Sequence, residues 1–292
     1  MSFVVYTDTS ANLTSDIIDK YGIKVVPFSY FINGVEYTHS DPRGFDGEAY
    51  YNTMRAGVMP TTSQINPQRY INYMEPALAA GDDVLYVGMS SGISGSFASS
   101  KIAAAYLMSK YPDRSVRLVD TLGASLGEGL MVIRAARLCF EGATLDEVET
   151  DIRSFRHRMY QVFTVDDLMF LKKSGRLSGV SAAIGTALGI KPLLKGNEHG
   201  KIVNFTTVRG RRRALKALAD KYAALAEGAD DKTIGIAHAG CPEDAGRLAD
   251  MIRSMDPAAE IITVCYEPVT GAHVGPGTLA LFFEGADGVR LK

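Results

Sequence analysis

The stretch "DVLYVGMSSGISGSFASSKIAAAYLM", residues 83–108, sets the fold class of this chain. Residues 83–88 form a short apolar run rich in β-branched and aromatic side chains, which is typical of a buried strand. Residues 95–110 have the spacing of a helix. Glycines and serines fill the loop between them. A strand, a polar loop and a helix in this order indicate an α/β sheet.

The same alternation of strands and helices runs along the whole chain. Further strands are predicted at 3–7, 23–32 and 116–120, each followed by a segment of helical or turn character. We therefore predict an α/β protein with two α/β domains and mostly parallel sheets. The domain boundaries are predicted at 1–157 and 158–292, with segments able to exchange between the two domains.

Composition and charge exclude several classes of protein. The 292 residues have a formal net charge of −2, which gives no electrostatic footprint for nucleic acid. The histidines show no metal spacing, and the three cysteines form no CxxC pair, so we expect neither a metal site nor a disulfide framework. No apolar run reaches the roughly 18 residues of a membrane span. The expectation is a cytoplasmic protein without stable membrane insertion.

The serine-rich loop has three possible roles. "GMSSG" matches the G-x-S-x-G nucleophile elbow, with Ser90 as nucleophile and His238 or His273 as base. An elbow serine lies at the strand-to-helix turn, whereas this helix is predicted to start only after Ser94. The second role is an anion cradle, because a helix start offers free N–H groups at Gly92, Ser94, Gly95 and Ser96. The third role is a simple helix cap, and the residues alone leave this choice open.

Two other stretches have the same hydroxyl-rich character. "TDTS" at 7–10 follows the first strand, and "MPTTSQINP" at 59–67 is predicted to be a loop that carries Thr62 and Ser63. Ligands in open α/β sheets lie outside the carboxyl ends of strands, so these stretches are predicted to converge on the serine-rich loop. Asp8 is expected to orient loop N–H groups and hydroxyls, with an Asx turn as the alternative.

Three basic features in the second half have both structural and functional interpretations. Arg176 in "KKSGRLSG" and His273 in the glycine-framed loop "GAHVGPG" are either ordinary structural residues or site residues. "VRGRRRALK", 208–216, is either a solvated helix start or a docking patch for an acidic partner. Nucleic acid is a weaker alternative for Arg209 to Arg213, because no aromatic residues are interleaved with them.

Taken together, these stretches resemble the DegV family, whose members include the fatty-acid-binding subunits of bacterial fatty acid kinase. The motifs that carry the resemblance run through nearly the whole chain: "TDTSANL", "PTTSQIN", "SSGISGSF", "LVDTLGASLGEG", "VDDLMFLKKSGRLSG", "LGIKPLL", "VRGRRRAL", "IAHAG" and "HVGPG". The chain departs from the family pattern with "SGSF" for "SGTY", "GRL" for "GRI" and "SQIN" for "SQPS". Ile65 thus replaces a proline.

The resemblance implies a lipid-binding subunit without catalytic residues, metal or cofactor. It holds one long-chain fatty acid in a tunnel between the two α/β domains, and a separate ATP-dependent kinase subunit phosphorylates the carboxylate. By motif position, Thr62 and Ser94 hydrogen-bond the carboxylate, with Ser63 and the Gly95 N–H close by. Arg176 and His273 are implied near the head group. "VRGRRRAL" is implied at the kinase docking surface.

Two segments are candidates for the tunnel wall. Residues 177–190 are uncharged and rich in small side chains, and residues 30–32 read "YFI". Tight helix packing is the alternative for the first of them. The remaining alternative to the carrier function is an acyl hydrolase with Ser90 as its nucleophile.

Overall fold

A computed structural model describes residues 2–178 and 189–292, which group into two compact units. The first unit comprises the described residues up to Phe45 together with Pro60–Arg156. The second comprises Asp46–Met59 together with the described residues from His157 to Lys292. Segment 46–59 therefore belongs to the second unit, although it lies in the N-terminal third of the sequence.

A parallel sheet forms the centre of the first unit. Among the described residues it has four strands in the order β2-β1-β6-β7. Its strands are β1 (Phe3–Asp8), β2 (Lys24–Val26), β6 (Asp83–Gly88) and β7 (Val116–Asp120). All six residues of β6 are buried, as expected for a central strand of a parallel sheet covered on both faces.

Helices cover this parallel sheet. They are numbered along the chain as α1 (Ser15–Tyr21), α3 (Pro67–Ala79), α4 (Ser96–Lys110), α5 (Leu126–Phe140) and α6 (Leu145–Phe155). A short 3-10 turn, Thr9–Ala11, follows β1. Helices α3 and α4 pack on each other, as do α5 and α6, and both α3 and α5 contact β6. The predicted strand at 83–88 and the helix of 95–110 are confirmed almost to the residue.

The predicted single strand at 23–32 is wrong in one respect, because two strands occupy it. Strand β2 belongs to the parallel sheet, whereas β3 (Ser29–Ile32) joins a separate antiparallel sheet with β4 (Val35–Thr38) and β5 (Thr61–Ser63). Pro27 lies at the break, where its ring fixes φ and its nitrogen has no proton for a ladder. A 3-10 turn, Pro42–Gly44, follows β4.

A mixed sheet forms the centre of the second unit, and its strand order in the described residues is β13-β12-β14-β8-β10-β11-β9. The strands are β8 (Met159–Thr164), β9 (Leu177–Ser178), β10 (Ile190–Gly196), β11 (Ile202–Arg209), β12 (Thr233–His238), β13 (Glu260–Cys265) and β14 (Leu279–Glu284). The α/β class is confirmed. This sheet is mixed rather than mostly parallel. The pairs β8–β10, β8–β14, β10–β11 and β12–β14 are antiparallel, whereas β9–β11 and β12–β13 are parallel.

The helices of the second unit are α2 (Gly47–Arg55), α7 (Met169–Lys173), α8 (Arg211–Leu225), α9 (Pro242–Met255) and α10 (Pro268–Val274), and a 3-10 turn spans Val289–Leu291. Helix α2 joins this unit through its tyrosines. The Tyr50 hydroxyl donates to the Pro268 carbonyl at 2.7 Å, and the Tyr51 hydroxyl donates to the Tyr266 carbonyl at 2.9 Å. Both tyrosines are buried, so these hydrogen bonds satisfy hydroxyls that would otherwise be costly to bury.

Two sequence expectations concern membranes and the tunnel wall. None of the helices in the described part of the chain has the length and apolar character needed to cross a bilayer. Residues 30–32 form most of β3, where Tyr30 is buried. Most of the other candidate wall segment, 177–190, lies outside the described residues.

A substitution of Leu281 tests the packing of the core in the second unit. Its side chain is fully buried in β14, between Ile236 and Val162 on the neighbouring strands. Leu281→Ala is expected to lower the free energy of unfolding by about 2–5 kcal/mol, because it leaves a cavity. Leu291→Ala is the control, since that side chain is 71% exposed. Equal loss in the two variants, measured by urea unfolding, would contradict this packing.

Candidate ligand-binding site

The first unit places its polar loops at the switch point of the parallel sheet. The chain leaves β1 in one direction to reach β2 and later returns to β6 on the other side of β1. Crevices at the carboxyl ends of such strand pairs are the usual ligand sites of open α/β sheets. Asp8 ends β1, and the Met89 N–H just after β6 donates to its Oδ2 at 3.2 Å. The predicted convergence of "TDTS" with the serine-rich loop is thereby confirmed.

The loop after β7 supports the serine-rich loop from the other side. The Ser90 N–H donates to the Gly123 carbonyl at 2.8 Å, and the Ser91 N–H donates to Asp120 Oδ1 at 3.2 Å. Leu122 and Ser125 hold left-handed φ angles of 55° and 53° in this supporting loop. Such angles are costly for residues with a Cβ, so the surrounding contacts must hold the loop in place.

The serine-rich loop ends at the N-terminus of helix α4. Ser94 Oγ accepts the Ser96 N–H at 3.2 Å and lies 3.0 Å from Ser96 Oγ. The first N–H groups of a helix have no carbonyl one turn back, and the helix dipole favours negative charge there. Ser94 is half-buried and Gly95 is exposed. This end of α4 is therefore suited to an anionic group.

Thr62 and Ser63 lie in a strand rather than in the predicted loop. They belong to β5, where Thr62 pairs with Tyr30 of β3. The polar composition pointed to a loop, but the β-branched threonines pair readily with the edge of β3. Thr62 is half-buried and Ser63 is exposed.

The strand of Thr62 and the helix start of Ser94 are joined directly. The Ile65 N–H donates to Ser96 Oγ at 3.1 Å. A Cβ on Gly95 would overlap the Gln64 side-chain oxygen, so the glycine permits that close approach. The structure thus brings together the neighbourhoods of Thr62, Ser63, Ser94 and Gly95, four of the residues that the sequence marked for the head group.

Beneath this junction lies a buried pair of acids, Asp8 and Glu128, both fully buried. Ser10 Oγ lies 2.5 Å from Asp8 Oδ1 and 2.7 Å from Glu128 Oε2. Burial raises the pKa of Asp8, and hydrogen bonds from Ser10, Tyr86 and Met89 act in the opposite direction. The prediction that Asp8 orients loop N–H groups and hydroxyls is confirmed by these contacts.

Glu128 was not anticipated from the sequence, and Ser96 was included in the anion cradle without a role of its own. A signal for Glu128 was present, because "SLGEGLMVI" places one acid in the buried and otherwise uncharged first two turns of α5. Ser96 gave no separate signal, since nothing distinguishes it from the other serines of its loop until the contacts of Ile65 and Ser94 are seen.

Ser90 does not occupy a nucleophile elbow. It is fully buried, its Oγ accepts the Gly92 N–H at 3.1 Å, and helix α4 begins six residues later. A second G-x-S-x-G, "GASLG" at 123–127, does place Ser125 immediately before α5 with φ 53° and ψ −145°. The buried Ser125 Oγ has no hydrogen-bond partner among the described residues, so no general base activates it there.

In the second unit, His273 and Arg176 influence each other. His273 lies in the last turn of α10 rather than in the predicted loop. The Glu267 carboxylate caps the first turn of this helix, accepting the N–H groups of Val269 and Thr270 at 2.5 Å each. Burial lowers the pKa of His273 to about 4, and the positive charge of Arg176 acts in the same direction.

The segment that carries Arg176 packs against the end of α10. Arg176 follows α7 and donates to the Ser174 carbonyl through Nη1. A Cβ on Gly275 would overlap the Phe170 ring of α7, and Gly275 also has a φ of 79°, so this contact requires glycine.

The basic segment 208–216 divides into an anchored and an exposed part. Arg211 donates to Asp244 at 2.7 Å and lies 3.5 Å from Asp166. Arg212 and Arg213 are exposed in the first turn of α8. The partly buried Arg211 therefore serves the fold, whereas its two neighbours present positive charge to solvent.

Three comparisons with known proteins agree with one another. A family model described as "Uncharacterised protein, DegV family" matches residues 2–286. A DegV domain-containing protein of Clostridium perfringens is 38% identical over 283 residues, which cover 97% of each chain.

Solved structures give the same family. A DegV family protein from Thermus thermophilus, described under the heading of fatty acid binding, superposes with a TM-score of 0.86 at 30% identity. The match covers 98% of this chain and 100% of the other. DegV of Bacillus subtilis, described as a fatty acid binding protein, gives a TM-score of 0.82 at 25% identity, covering 98% and 100% of the two chains.

His273 gives a prediction for stability at acidic pH. The pKa of His273 is about 4 in the native protein and about 6.5 in the unfolded chain. Between these two pH values the unfolded chain therefore binds a proton that the native protein does not bind. The free energy of unfolding is therefore expected to fall as pH decreases from about 6.5 to about 4, by at most about 3 kcal/mol from this group. His273→Gln removes that part of the pH dependence.

The control for this measurement is His199→Gln, since the His199 side chain is 73% exposed. Urea unfolding at several pH values gives the comparison. A wild-type profile that His273→Gln leaves unchanged would contradict the burial of a neutral imidazole.

Proposed function

The chain belongs to the DegV family, and we propose that it binds a long-chain fatty acid and presents the carboxylate to a separate ATP-dependent kinase. The observation that carries this proposal is the junction of β5 with the start of α4. There Ile65 and Ser96 are hydrogen-bonded, and Thr62 and Ser94 stand on the two joined segments.

The chemistry of this junction suits a carboxylate. A buried anion without hydrogen-bond donors would cost several kcal/mol. Hydroxyls of Thr62 and Ser94, together with first-turn N–H groups of α4, supply charge-assisted hydrogen bonds that offset this cost. The Gly95 N–H and Ser63 extend the same cradle.

The apolar tail supplies most of the binding energy. A chain of about fourteen methylenes gives roughly 11 kcal/mol of gross burial at about 0.8 kcal/mol each. The loss of translational and rotational freedom removes part of this. Strand β3 pairs with β5, so the apolar residues 30–32 lie next to the strand of Thr62 and offer surface to the first methylenes.

The chain acts as a carrier, and the phosphoryl transfer belongs to the partner. Support comes from Ser90, which is fully buried six residues before α4, and from Ser125, whose buried Oγ has no hydrogen-bond partner among the described residues. An acyl hydrolase would instead cleave esters as the isolated chain and react with a fluorophosphonate probe at one of these serines. Labelling of either serine would favour that alternative.

The exposed arginines at the start of α8 are proposed as the docking surface for the kinase. Arg212 and Arg213 project positive charge from a protein whose formal net charge is −2. A local patch of this kind steers an acidic partner surface and raises the association rate. The family resemblance also predicts that Arg176 and His273 lie near the head group.

Ser94→Ala and Thr62→Val test the head-group assignment. Each variant removes one hydroxyl donor to a charged group, worth about 1.5–3 kcal/mol, so fatty acid affinity is expected to fall roughly 10- to 100-fold. The affinity is measured by fluorescence displacement after native lipid has been removed and identified by mass spectrometry.

Ser109→Ala is the matched control for Ser94→Ala. Ser109 lies on the same helix, α4, but in its last turn, where its hydroxyl donates to the Tyr106 carbonyl. The head-group assignment would be wrong if Ser94→Ala left the fatty acid affinity unchanged. It would also be wrong if Ser109→Ala reduced that affinity as much as Ser94→Ala. A purified protein that holds no lipid and takes none up would refute the proposed function.

Arg212→Glu/Arg213→Glu tests the docking surface. Kinase-dependent acyl-phosphate formation is expected to fall at least tenfold at low salt, because like charges now oppose each other. Fatty acid affinity should stay unchanged. The control is Lys201→Glu/Arg253→Glu, which changes charge equally at two other exposed positions of the second unit. Similar losses in both double variants would argue against a specific patch.

A further inference from the structure

The side-chain hydroxyl of Ser94 is held by a single neighbour, Ser96, within the part of the chain that the structure describes. Ser94 Oγ accepts the Ser96 N–H at 3.2 Å and donates to Ser96 Oγ at 3.0 Å. Ser94 is half-buried, whereas Ser96 is buried. The position of the Ser94 hydroxyl and the direction of its hydrogen therefore depend on Ser96.

Ser96 is itself held from a second direction. Its Oγ accepts the N–H of Ile65 at 3.1 Å, and Ile65 is fully buried. A turn of the Ser96 side chain would leave this buried N–H without its acceptor, which is costly. Gly95 keeps the two segments close, because a Cβ there would overlap the Gln64 side-chain oxygen. Ser96 Oγ is thus fixed between the strand segment of β5 and Ser94.

The hydrogens of this small group can be assigned. A serine hydroxyl donates one hydrogen and accepts up to two, whereas a backbone N–H only donates. Ile65 is therefore always a donor to Ser96 Oγ, but the contact between the two hydroxyls can take its hydrogen from either side. In the structure Ser94 gives its hydrogen to Ser96. In this state Ser94 has only a lone pair to offer a ligand.

A carboxylate at Ser94 needs the opposite arrangement, because its oxygens accept hydrogen bonds and donate none. The Ser94 hydrogen then points at the carboxylate, and Ser96 turns its own hydrogen onto Ser94 Oγ. The N–H of Ile65 still donates to Ser96 throughout. Both hydroxyls only rotate about their C–O bonds, so no proton leaves its oxygen and the contact between them keeps one hydrogen.

We propose that Ser96 is a positioning residue for an anionic head group, accepting from Ser94 in the free protein and donating to Ser94 when a carboxylate is bound. The inference rests on the proposed function, because it takes Ser94 as a ligand of the carboxylate. Ser96 acts through Ser94 alone. The hydrogen bond that Ser94 then accepts polarises its own O–H group, which makes Ser94 a stronger donor to a charged acceptor.

The charges along helix α4 suit an anionic ligand at its start. The helix has no acidic residue from Ser96 to Lys110, and the N–H groups of its first turn favour negative charge. Lys110 at the far end is paired with Glu75 at 2.5 Å, and Lys101 lies over the Phe97 ring at 5.2 Å. The helix itself therefore places no negative side chain against a carboxylate at Ser94.

The test compares two ligands that share a hydrocarbon chain and differ in the head group. Oleate carries a carboxylate, whereas oleyl alcohol carries a neutral hydroxyl that can itself donate to Ser94. Their affinities for delipidated protein are measured by fluorescence displacement. Ser96→Ala is expected to weaken oleate binding about tenfold and to change oleyl alcohol binding by less than about twofold. Equal losses for the two ligands would show a merely structural role, and unchanged oleate affinity would also refute the inference.

A double-mutant cycle with oleate alone shows whether Ser96 acts through Ser94. Once Ser94→Ala has removed the hydroxyl, the added Ser96→Ala change should weaken oleate by no more than about twofold. Additive losses would contradict the inference, because Ser96 would then affect the ligand by another route. Ser96→Thr keeps the Oγ and should restore oleate affinity to within about threefold of the wild type.

Ser100→Ala is the matched control, since Ser100 is a buried serine of the same helix whose hydroxyl donates to the Phe97 carbonyl at 2.8 Å. It should bind oleate as the wild type does, and a loss as large as that of Ser96→Ala would count against the inference. If Ser96→Ala does not fold, Ser96→Cys makes the same test, because a thiol is a weak donor.

The outcomes for oleate separate this inference from the proposed function. Oleate binding that is weakened by Ser94→Ala but not by Ser96→Ala overturns the positioning role and leaves the proposed function standing. A wild-type protein that binds no oleate overturns both.

Discussion

The first unit depends on the hydrogen bonds that one buried carboxyl group, that of Asp8, accepts. They come from the N–H groups of Ser10 and Met89 and from the hydroxyls of Ser10 and Tyr86. These donors stand on the turn after β1, on β6 and on the loop after β6. A carboxyl group without them would be too costly to bury, and with them it holds together the ends of two strands at the switch point of the sheet.

This arrangement links stability to ligand chemistry. The serine-rich loop needs fixed hydroxyls and N–H groups if it is to receive a charged group without reorganising. Asp8 and the strained loop after β7 supply that rigidity from below, and the Ile65–Ser96 hydrogen bond ties β5 to the same place. The acids thus sit one layer beneath the surface that would contact a ligand.

Much of the candidate site could be predicted from the sequence. The errors of that prediction have physical causes. Strand 83–88, helix α4 and the convergence of Asp8 with the serine-rich loop follow from local patterns and from the rule on carboxyl ends of strands. Thr62 was placed in a loop because polar composition outweighed β-branching, and its strand exists only through pairing with β3. His273 was placed in a loop because its glycines suggested one, although Glu267 caps a helix there.

The sequence by itself determined the α/β class, the sequence of most strands and helices, and the family, since these depend on local periodicity and on ordered motifs. The tertiary structure alone decided that segment 46–59 joins the second unit, that Glu128 faces Ser10, and that Ser96 joins Ser94 to Ile65. The physical reason is distance along the chain. Ser10 and Glu128 are separated by 118 positions, and no local preference encodes a hydrogen bond between them until the sheet brings their elements together.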